Sequence, residues 1–387
     1  MINIHGKITR VTNAAYDARE EYPEALKTIF SLDSCAQAYE SISQWPDYQP
    51  TPLYNLAGLA SALNVAKLYY KDESARFHLK SFKALGGAYA VARVLMDKLE
   101  EKTGSRPQMQ DLLQGQFADL VSEIVISCAT DGNHGRSVAW GCQLFGCGFV
   151  IYIHRDVSRA REQAMQEFGA KVIRITGNYD DSVKQADHDA KTNNRVIVSD
   201  TSYEGYMDIP KNVAAGYGVM LKETVEQMQP DRPTHVFIQG GVGGLASAVC
   251  AYFWQYWEAD RPRMIVVEPV NANCLQNSAR EGKPVTVGGD LDTLMAGLAC
   301  GEVSALAWEI LKPGCSDFLT INEETVAPTM RLLAQGIDAD PAIEAGESAV
   351  AGLAALITAR QDLSLSQQLG LDAQSRIFVI GTEGATD

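Results

Sequence analysis

Short β-branched runs alternate along the chain with longer stretches of helical periodicity, and this alternation limits the fold more than any other sequence feature. One such run covers residues 121–128; a helical pattern then extends to Phe145, and a second strand pattern covers residues 149–154. Parallel strands need a crossover of this length, usually a helix. Similar strand patterns lie at residues 65–70, 171–175, 196–198, 235–238, 264–267, 320–321 and 376–380. The sequence therefore predicts an α/β fold with mostly parallel sheets flanked by helices.

Charge and hydropathy exclude several classes of protein. The 387 residues include 33 Lys and Arg against 48 Asp and Glu, which gives a formal net charge of −15. The chain has no Lys/Arg-dense run, so we expect no nucleic-acid partner. It also has no stretch of about 18 apolar residues, so we expect no membrane-spanning segment. Because the N-terminus lacks the basic start and apolar core of a signal peptide, we expect a cytoplasmic protein.

Cysteine and histidine spacing gives no sign of a metal site. The eight cysteines are scattered through the sequence without a CxxC pair, and the six histidines show no metal-ligand spacing. We therefore expect no bound metal and mostly reduced thiols. A disulfide between Cys274 and Cys300 is left open by the sequence.

A lysine lies at a predicted turn from a strand end into a helix, in Ser81-Phe82-Lys83-Ala84-Leu85-Gly86-Gly87. Ser81 is the expected N-cap, which puts Lys83 in the first helical turn. The helix N-terminus carries partial positive charge, so a lowered pKa is expected for the Lys83 ammonium. A neutral amine can attack a carbonyl and form a Schiff base. For a lysine considered alone, however, an ordinary surface position is the commoner interpretation.

A glycine-rich run, Gly240-Gly241-Val242-Gly243-Gly244, follows another predicted strand; we refer to residues 240–244 as the glycine loop. Its backbone N–H groups could bind a phosphate at the N-terminus of the next helix. The spacing of Gly241, Gly243 and Ala246 also fits a dinucleotide fingerprint, with Glu268 as the ribose-binding acid. A tight turn without a ligand is the third interpretation, and the density of glycine makes it the weakest.

Three further loops carry polar side chains after predicted strands. One reads Asp131-Gly132-Asn133-His134-Gly135, a second contains Asp200, and Thr382 follows the last strand. Parallel α/β folds bind ligands beyond the carboxyl ends of their strands, where these loops are expected. Taken singly, each residue is equally consistent with a helix cap or a solvated loop.

Taken together and in order, these segments resemble the fold-type-II pyridoxal-phosphate enzymes, the group of threonine synthase, serine/threonine dehydratases and the tryptophan synthase β chain. The shared segments are Thr51-Pro52-Leu53, Lys71-Asp72-Glu73-Ser74, Ser81-Phe82-Lys83, Asp131-Gly132-Asn133-His134-Gly135 and the glycine loop. Within this family, further segments are similar to the ammonia-lyases that act on 2,3-diaminopropionate. These are Asp200-Thr201-Ser202-Tyr203-Glu204-Gly205-Tyr206, Met295-Ala296-Gly297-Leu298-Ala299-Cys300-Gly301-Glu302, Gly346-Glu347-Ser348 and Thr382-Glu383-Gly384-Ala385-Thr386-Asp387.

The resemblance implies a cofactor, pyridoxal 5'-phosphate, and a role for each matching residue. Lys83 would carry the cofactor through a Schiff base, and Asn133 would contact its ring hydroxyl. Gly240, Gly241, Val242, Gly243 and Gly244 would bind its phosphate. Thr382 would face the pyridine nitrogen. The resemblance also implies two lobes, a larger one of residues 1–85 and 219–387 and a smaller, mobile one of residues 86–218.

Asp131 departs from the dehydratase pattern, which usually has a neutral residue at that position. An anion near a substrate carboxylate is costly unless a cation shares the site, and the second ammonium of a 2,3-diamino acid is such a cation. We therefore expect Asp131 and Asp200 to recognise that group and to take part in acid–base chemistry.

The reaction implied is α,β-elimination of 2,3-diaminopropionate, as the L and also the D isomer, to pyruvate and two ammonia. A serine/threonine dehydratase or another pyridoxal-phosphate β-eliminating lyase is the alternative, and a nicotinamide-dependent dehydrogenase is a remote one. A homodimer is expected, although no sequence feature specifies the oligomeric state.

Overall fold

The computed structural model describes residues 2, 4–130, 132–155, 157–177 and 179–385. The chain divides into two compact units. Unit one contains Met1–Leu32, Pro50–Ser81 and Met220–Thr386, and unit two contains Asp33–Gln49 and Phe82–Val219. Helix α9 (Asp208–Met228) contributes residues to both.

Unit one is built on a seven-stranded sheet with the order β1-β10-β9-β8-β11-β3-β2. Its strands are β1 (Ile8–Thr12), β2 (Leu53–Asn55), β3 (Lys67–Asp72), β8 (His235–Gln239), β9 (Arg263–Pro269), β10 (Asp317–Ile321) and β11 (Arg376–Gly381). The five inner strands run parallel, and the two edge strands, β1 and β2, are antiparallel to their neighbours. All five residues of β8 are buried, as expected for a parallel strand covered on both faces.

Helices cover both faces of this sheet. They are α2 (Ala57–Ala62), α10 (Gly244–Trp257), α11 (Cys274–Glu281), α12 (Ala305–Gly314), α13 (Val326–Gln335), α14 (Ala351–Gln361) and α15 (Leu363–Leu369). The central helix α14 is buried from Ala351 to Ala359. Its backbone lies so close to β8 that a Cβ atom on Gly352 would be 2.6 Å from the carbonyl oxygen of Phe237.

Unit two contains a smaller parallel sheet with the order β6-β5-β4-β7. Its strands are β4 (Val125–Ala129), β5 (Gly148–Ile153), β6 (Lys171–Arg174) and β7 (Val196–Ile197). Its helices are α1 (Leu32–Ile42), α3 (Lys83–Thr103), α4 (Met109–Leu113), α5 (Ala118–Ser122), α6 (Asn133–Phe145), α7 (Arg159–Gln166) and α8 (Tyr179–Thr192). Helices α3 and α6 approach closely because small residues face each other; a Cβ atom on Gly141 would lie 2.8 Å from the Cα of Ala88.

The predicted fold class is confirmed. The strand predicted at residues 121–128 is too long, because its first part belongs to α5 and β4 begins at Val125. The first 48 residues, where no strand was predicted, contain β1 and α1. β1 is a half-exposed edge strand, so its sequence lacks the continuous apolar run that marks the inner strands. Among the described residues, no helix is long and apolar enough to cross a membrane.

Candidate active site

Lys83 is the first residue of α3, as the sequence predicts, but the N-cap is Phe82 rather than Ser81. Ser81 is buried and pairs with Glu383 in an isolated β-bridge, so it ends the preceding segment instead of capping the helix. The Phe82 ring lies 4.8 Å from the ring of Tyr217. Gly86 lets this first turn approach Tyr217, since a Cβ atom there would be 2.5 Å from Tyr217 Cε1. The start of α3 is therefore fixed by aromatic and close backbone packing.

Asp200 is the direct partner of Lys83. The Lys83 Nζ donates to Asp200 Oδ2 at 2.5 Å, and the two side chains are 27% and 19% exposed. Asp200 comes three residues after the end of β7. Burial would raise the pKa of its carboxyl, but the Lys83 ammonium and His134 hold that pKa below its usual range. Asp200 is therefore a carboxylate at neutral pH, and it lies beside the proposed nucleophile.

His134 completes this cluster and was not predicted as a site residue. Its Nε2 lies 3.0 Å from the Val198 carbonyl oxygen, which can only accept, so Nε2 carries the hydrogen. The Nδ1 atom is buried without a hydrogen-bond partner among the described residues, and it lies 3.8 Å from Asp200 Oδ2. Burial lowers the pKa of His134, and Lys83 adds to this effect while Asp200 opposes it. A neutral imidazole thus presents an acceptor atom towards the lysine and its carboxylate.

Ser137, another residue missed in the sequence, connects α6 to the first turn of α3. Its hydroxyl donates to the Lys83 carbonyl oxygen at 2.6 Å and accepts from the Ala88 N–H at 3.1 Å. A serine inside an amphipathic helix gives no sequence signal for this role. His134, by contrast, could have been found from its place between Asn133 and Gly135, directly after a strand.

The sequence-predicted Asn133 begins α6, whose N-cap is Gly132. Asp131 lies outside the described residues, as do Thr386 and Asp387 of the last matching segment. Unit two therefore brings together Lys83, Asp200 and His134, with Asn133 next to His134 in the chain.

The glycine loop lies in unit one, between β8 and α10. Gly241 and Gly243 have φ angles of +59° and +96°, which a side chain would strain. The Gly243 N–H donates to the Gly240 carbonyl oxygen at 3.1 Å, while the N–H groups of Gly241 and Val242 have no acceptor among the described residues. Unpaired N–H groups in a left-handed turn at a helix N-terminus fit a phosphate group.

Three other matching segments lie in unit one with the glycine loop. The Gly297 carbonyl oxygen would lie 3.7 Å from a Cβ atom on Gly241. The Gly297 N–H donates to the Ser348 hydroxyl at 3.0 Å, and the Gly346 N–H donates to the Glu383 carbonyl oxygen at 3.0 Å. Thr382 is buried directly after β11. Segments far apart in sequence are thus linked by hydrogen bonds beside the proposed phosphate site.

Glu268, the ribose-binding acid of the dinucleotide alternative, is fully buried at 0% exposure. Its two carboxyl oxygens accept the N–H groups of Leu275 at 2.9 Å and Gln276 at 2.7 Å. They are therefore not presented to a ribose. Cys274 and Cys300 are free thiols, like the other six cysteines.

Comparison with known protein families agrees with this geometry. Residues 45–380 match the family model described as pyridoxal-phosphate dependent enzyme. The chain is 38% identical to diaminopropionate ammonia-lyase of Escherichia coli K12 over 93% of its own length and 90% of the relative's. It is 37% identical to the Salmonella typhimurium LT2 enzyme of the same name, over 88% and 86% of the two chains.

Solved structures give the same result. The E. coli diaminopropionate ammonia-lyase in complex with an aminoacrylate-PLP azomethine reaction intermediate aligns with a TM-score of 0.89 at 36% identity, covering 99% of this chain and 95% of the other. The same enzyme in complex with D-serine aligns with a TM-score of 0.90 at 35% identity, again over 99% and 95%. Threonine deaminase isoform 2 of Solanum lycopersicum shares the fold at 18% identity and a TM-score of 0.75, covering 98% and 94%. The chain therefore belongs to the pyridoxal-phosphate-dependent enzymes and, within them, to the diaminopropionate ammonia-lyase family.

Proposed function

We propose that this protein catalyses the α,β-elimination of 2,3-diaminopropionate, which loses one ammonia and, after hydrolysis by one water, gives pyruvate and a second ammonia. The observation that carries the proposal is the Lys83–Asp200 ion pair at 2.5 Å, beside the buried imidazole of His134. In this pair, the Lys83 amine that the family's chemistry requires lies next to the Asp200 carboxylate. That carboxylate can also bind the second ammonium of a diamino acid. An enzyme specific for hydroxy amino acids has no need of that carboxylate.

We assign cofactor-binding roles to the residues that match the family's pattern. Lys83 would hold it covalently, the glycine loop would bind its phosphate through backbone N–H groups, and Asn133 and Thr382 would contact its ring. When bound, pyridoxal phosphate supplies an electron sink that makes the substrate Cα proton removable. The neutral hydroxyl of Thr382, in place of a carboxylate, favours rapid elimination over transamination.

Lys83 is the proposed base for the L isomer. Its free amine would take the Cα proton, and the Asp200 carboxylate would stabilise the ammonium that results. Because the pKa of Asp200 is held low by Lys83 and His134, Asp200 stays ionised and acts as a receptor for ammonium groups. We assign it the substrate's second ammonium as well as that of Lys83.

Asp131 is the proposed base for the D isomer, acting from the opposite face of the substrate. This assignment rests on the sequence, because a carboxylate at that position departs from the dehydratase pattern. The structure of the E. coli relative in complex with D-serine supports the binding of D-amino acids.

We further propose that the enzyme is a cytoplasmic homodimer. Eight free cysteines support a reducing compartment. Val270 and Leu294 are 47% and 59% exposed, and a hydrogen bond from Asn271 to the Asp292 carbonyl oxygen holds their segments together. A second copy of the chain could cover this apolar surface. Sedimentation equilibrium tests the dimer, and a monomer at micromolar concentration would refute it.

The substrate is tested by measuring pyruvate and ammonia from L- and D-2,3-diaminopropionate, L- and D-serine and L-threonine. We expect the highest kcat/KM for a diaminopropionate isomer, with two ammonia per pyruvate. A higher kcat/KM for serine or threonine would reject the proposal in favour of a dehydratase.

A further inference from the structure

Glu268, near the end of β9, is a buried carboxyl that the proposed reaction does not use. Its Oε1 accepts the Leu275 N–H at 2.9 Å and its Oε2 accepts the Gln276 N–H at 2.7 Å. Both donors belong to the first turn of α11, where a helix leaves its N–H groups unpaired. One side chain therefore fixes the start of this helix with two hydrogen bonds.

The Glu268 side chain also packs directly against the glycine loop. A Cβ atom on Gly240 would lie 2.6 Å from Glu268 Cγ, so the loop rests directly on the methylene groups of the acid. The Leu275 side chain, whose own N–H is bound by Glu268, would lie 3.2 Å from a Cβ atom on Gly240 and 3.3 Å from one on Gly243. The Cys274 thiol lies 3.6 Å from the Gly241 carbonyl oxygen. The first turn of α11 thus packs directly against the glycine loop.

We propose that Glu268 is a positioning residue for the cofactor's phosphate: by holding the first turn of α11, it keeps the glycine loop in its left-handed, anion-binding conformation. This inference rests on the cofactor of the family and not on the identity of the substrate. If the enzyme proves to prefer serine, the role of Glu268 is unaffected.

The chemistry of the carboxyl explains why an amide cannot replace it. Whether ionised or protonated, a carboxyl group offers a lone pair on each oxygen, so it accepts from both N–H groups. A glutamine would turn its NH₂ group towards one of these N–H donors and lose that hydrogen bond. Burial raises the pKa of Glu268 to about 8, and the two N–H donors and the Cys274 thiol oppose that rise. Among the described residues Glu268 has no cationic partner, which suits a structural role beside an anion site.

Glu268→Gln is compared with Asp317→Asn in the neighbouring strand β10. Asp317 is equally buried and accepts from Arg10 at 2.7 Å and from Arg263 at 2.8 Å, so its variant controls for lost stability away from the loop. Equilibrium dialysis of each apoenzyme gives dissociation constants for pyridoxal phosphate and for pyridoxal, which has no phosphate.

In Glu268→Gln we expect binding of pyridoxal phosphate to weaken by roughly ten- to a hundredfold, the effect of one lost hydrogen bond to a charged or buried group. Binding of pyridoxal is expected to change less than about threefold. Asp317→Asn should leave the ratio of the two constants unchanged. An unchanged ratio in Glu268→Gln, or an equal change in Asp317→Asn, would overturn the proposal.

A second measurement needs no variant and decides the matter if Glu268→Gln fails to fold. Hydrogen exchange of the Leu275 and Gln276 amides is followed in the wild-type protein with saturating pyridoxal phosphate or saturating pyridoxal. We expect pyridoxal phosphate to slow exchange at both amides by at least about threefold more than pyridoxal does. Equal protection by the two ligands would refute a link between Glu268 and the phosphate.

Discussion

The Nζ atom of Lys83 lies 2.5 Å from Asp200 Oδ2, and the third member of the cluster, His134, has its unprotonated Nδ1 3.8 Å from the same oxygen. A carboxylate therefore faces a cation on one side and a neutral acceptor on the other. Asp200 Oδ2 and His134 Nδ1 are both hydrogen-bond acceptors, so His134 cannot neutralise the charge of Asp200. An ammonium group, from Lys83 or from a substrate, is needed to do so. This requirement connects the geometry of the cluster to the choice of a diamino acid.

Replacing Asp200 by Asn removes the charge and keeps the size of the side chain. We expect kcat/KM for diaminopropionate to fall about ten- to a hundredfold more than kcat/KM for serine, because only the diamino acid brings a second ammonium. Steady-state kinetics on both substrates check this. Asp208→Asn, at an acid whose side chain is 93% exposed on α9, should change neither value. Equal losses on both substrates would remove the recognition role of Asp200.

Asp131→Asn tests the stereochemical assignment. Turnover of D-2,3-diaminopropionate should fall by about a hundredfold or more, the usual contribution of a general base, while turnover of the L isomer falls less. The two rates are compared in separate assays with single isomers. If the variant loses activity equally on both isomers, Asp131 is not a base specific for the D isomer.

The pH dependence of stability tests the environment of His134. Its pKa is lowered by burial, so between that pKa and the ordinary value of about 6.5 the unfolded chain binds more protons than the folded one. The stabilisation is present above pH 6.5 and is lost as pH falls through this window. Urea unfolding at several pH values gives the free energy of unfolding at each pH. In this window it should rise less steeply with pH for His134→Gln than for wild type. The control His188→Gln, at an exposed position, should match wild type; a match by His134→Gln would contradict the assignment.

Gly241→Ala tests the glycine loop. Its φ of +59° costs a non-glycine residue roughly 1–2 kcal/mol, while a Cβ atom there has no contact closer than 3.7 Å. We expect pyridoxal phosphate to bind about five- to thirtyfold more weakly, as measured by fluorescence titration. Gly146→Ala, at φ +84° with open space around it, carries similar strain in unit two. It should lower stability and leave cofactor affinity unchanged, so similar affinity losses in both variants would count against a phosphate site.

Much of the fold could be predicted from the sequence because the inner strands are buried on both faces and read as continuous apolar runs. The short edge strands β1 and β2 carry no such pattern and were missed. In the site, Lys83, Asp200 and the glycine loop were singled out from their sequence motifs, and the roles assigned to them stay predictions. His134 and Ser137 were missed, since their roles depend on the packing of α6 against α3. Ser81 has good capping chemistry but is held in a bridge with Glu383, a contact about 300 residues away that no local rule predicts.

Borohydride reduction of the purified holoenzyme, followed by peptide mass spectrometry, tests the central claim most directly. The yellow colour should bleach, and a single reduced pyridoxyl-phosphate label should map to Lys83. The variant Lys83→Ala should carry no label. A label on another lysine, or a colourless protein that takes up none, would contradict the account.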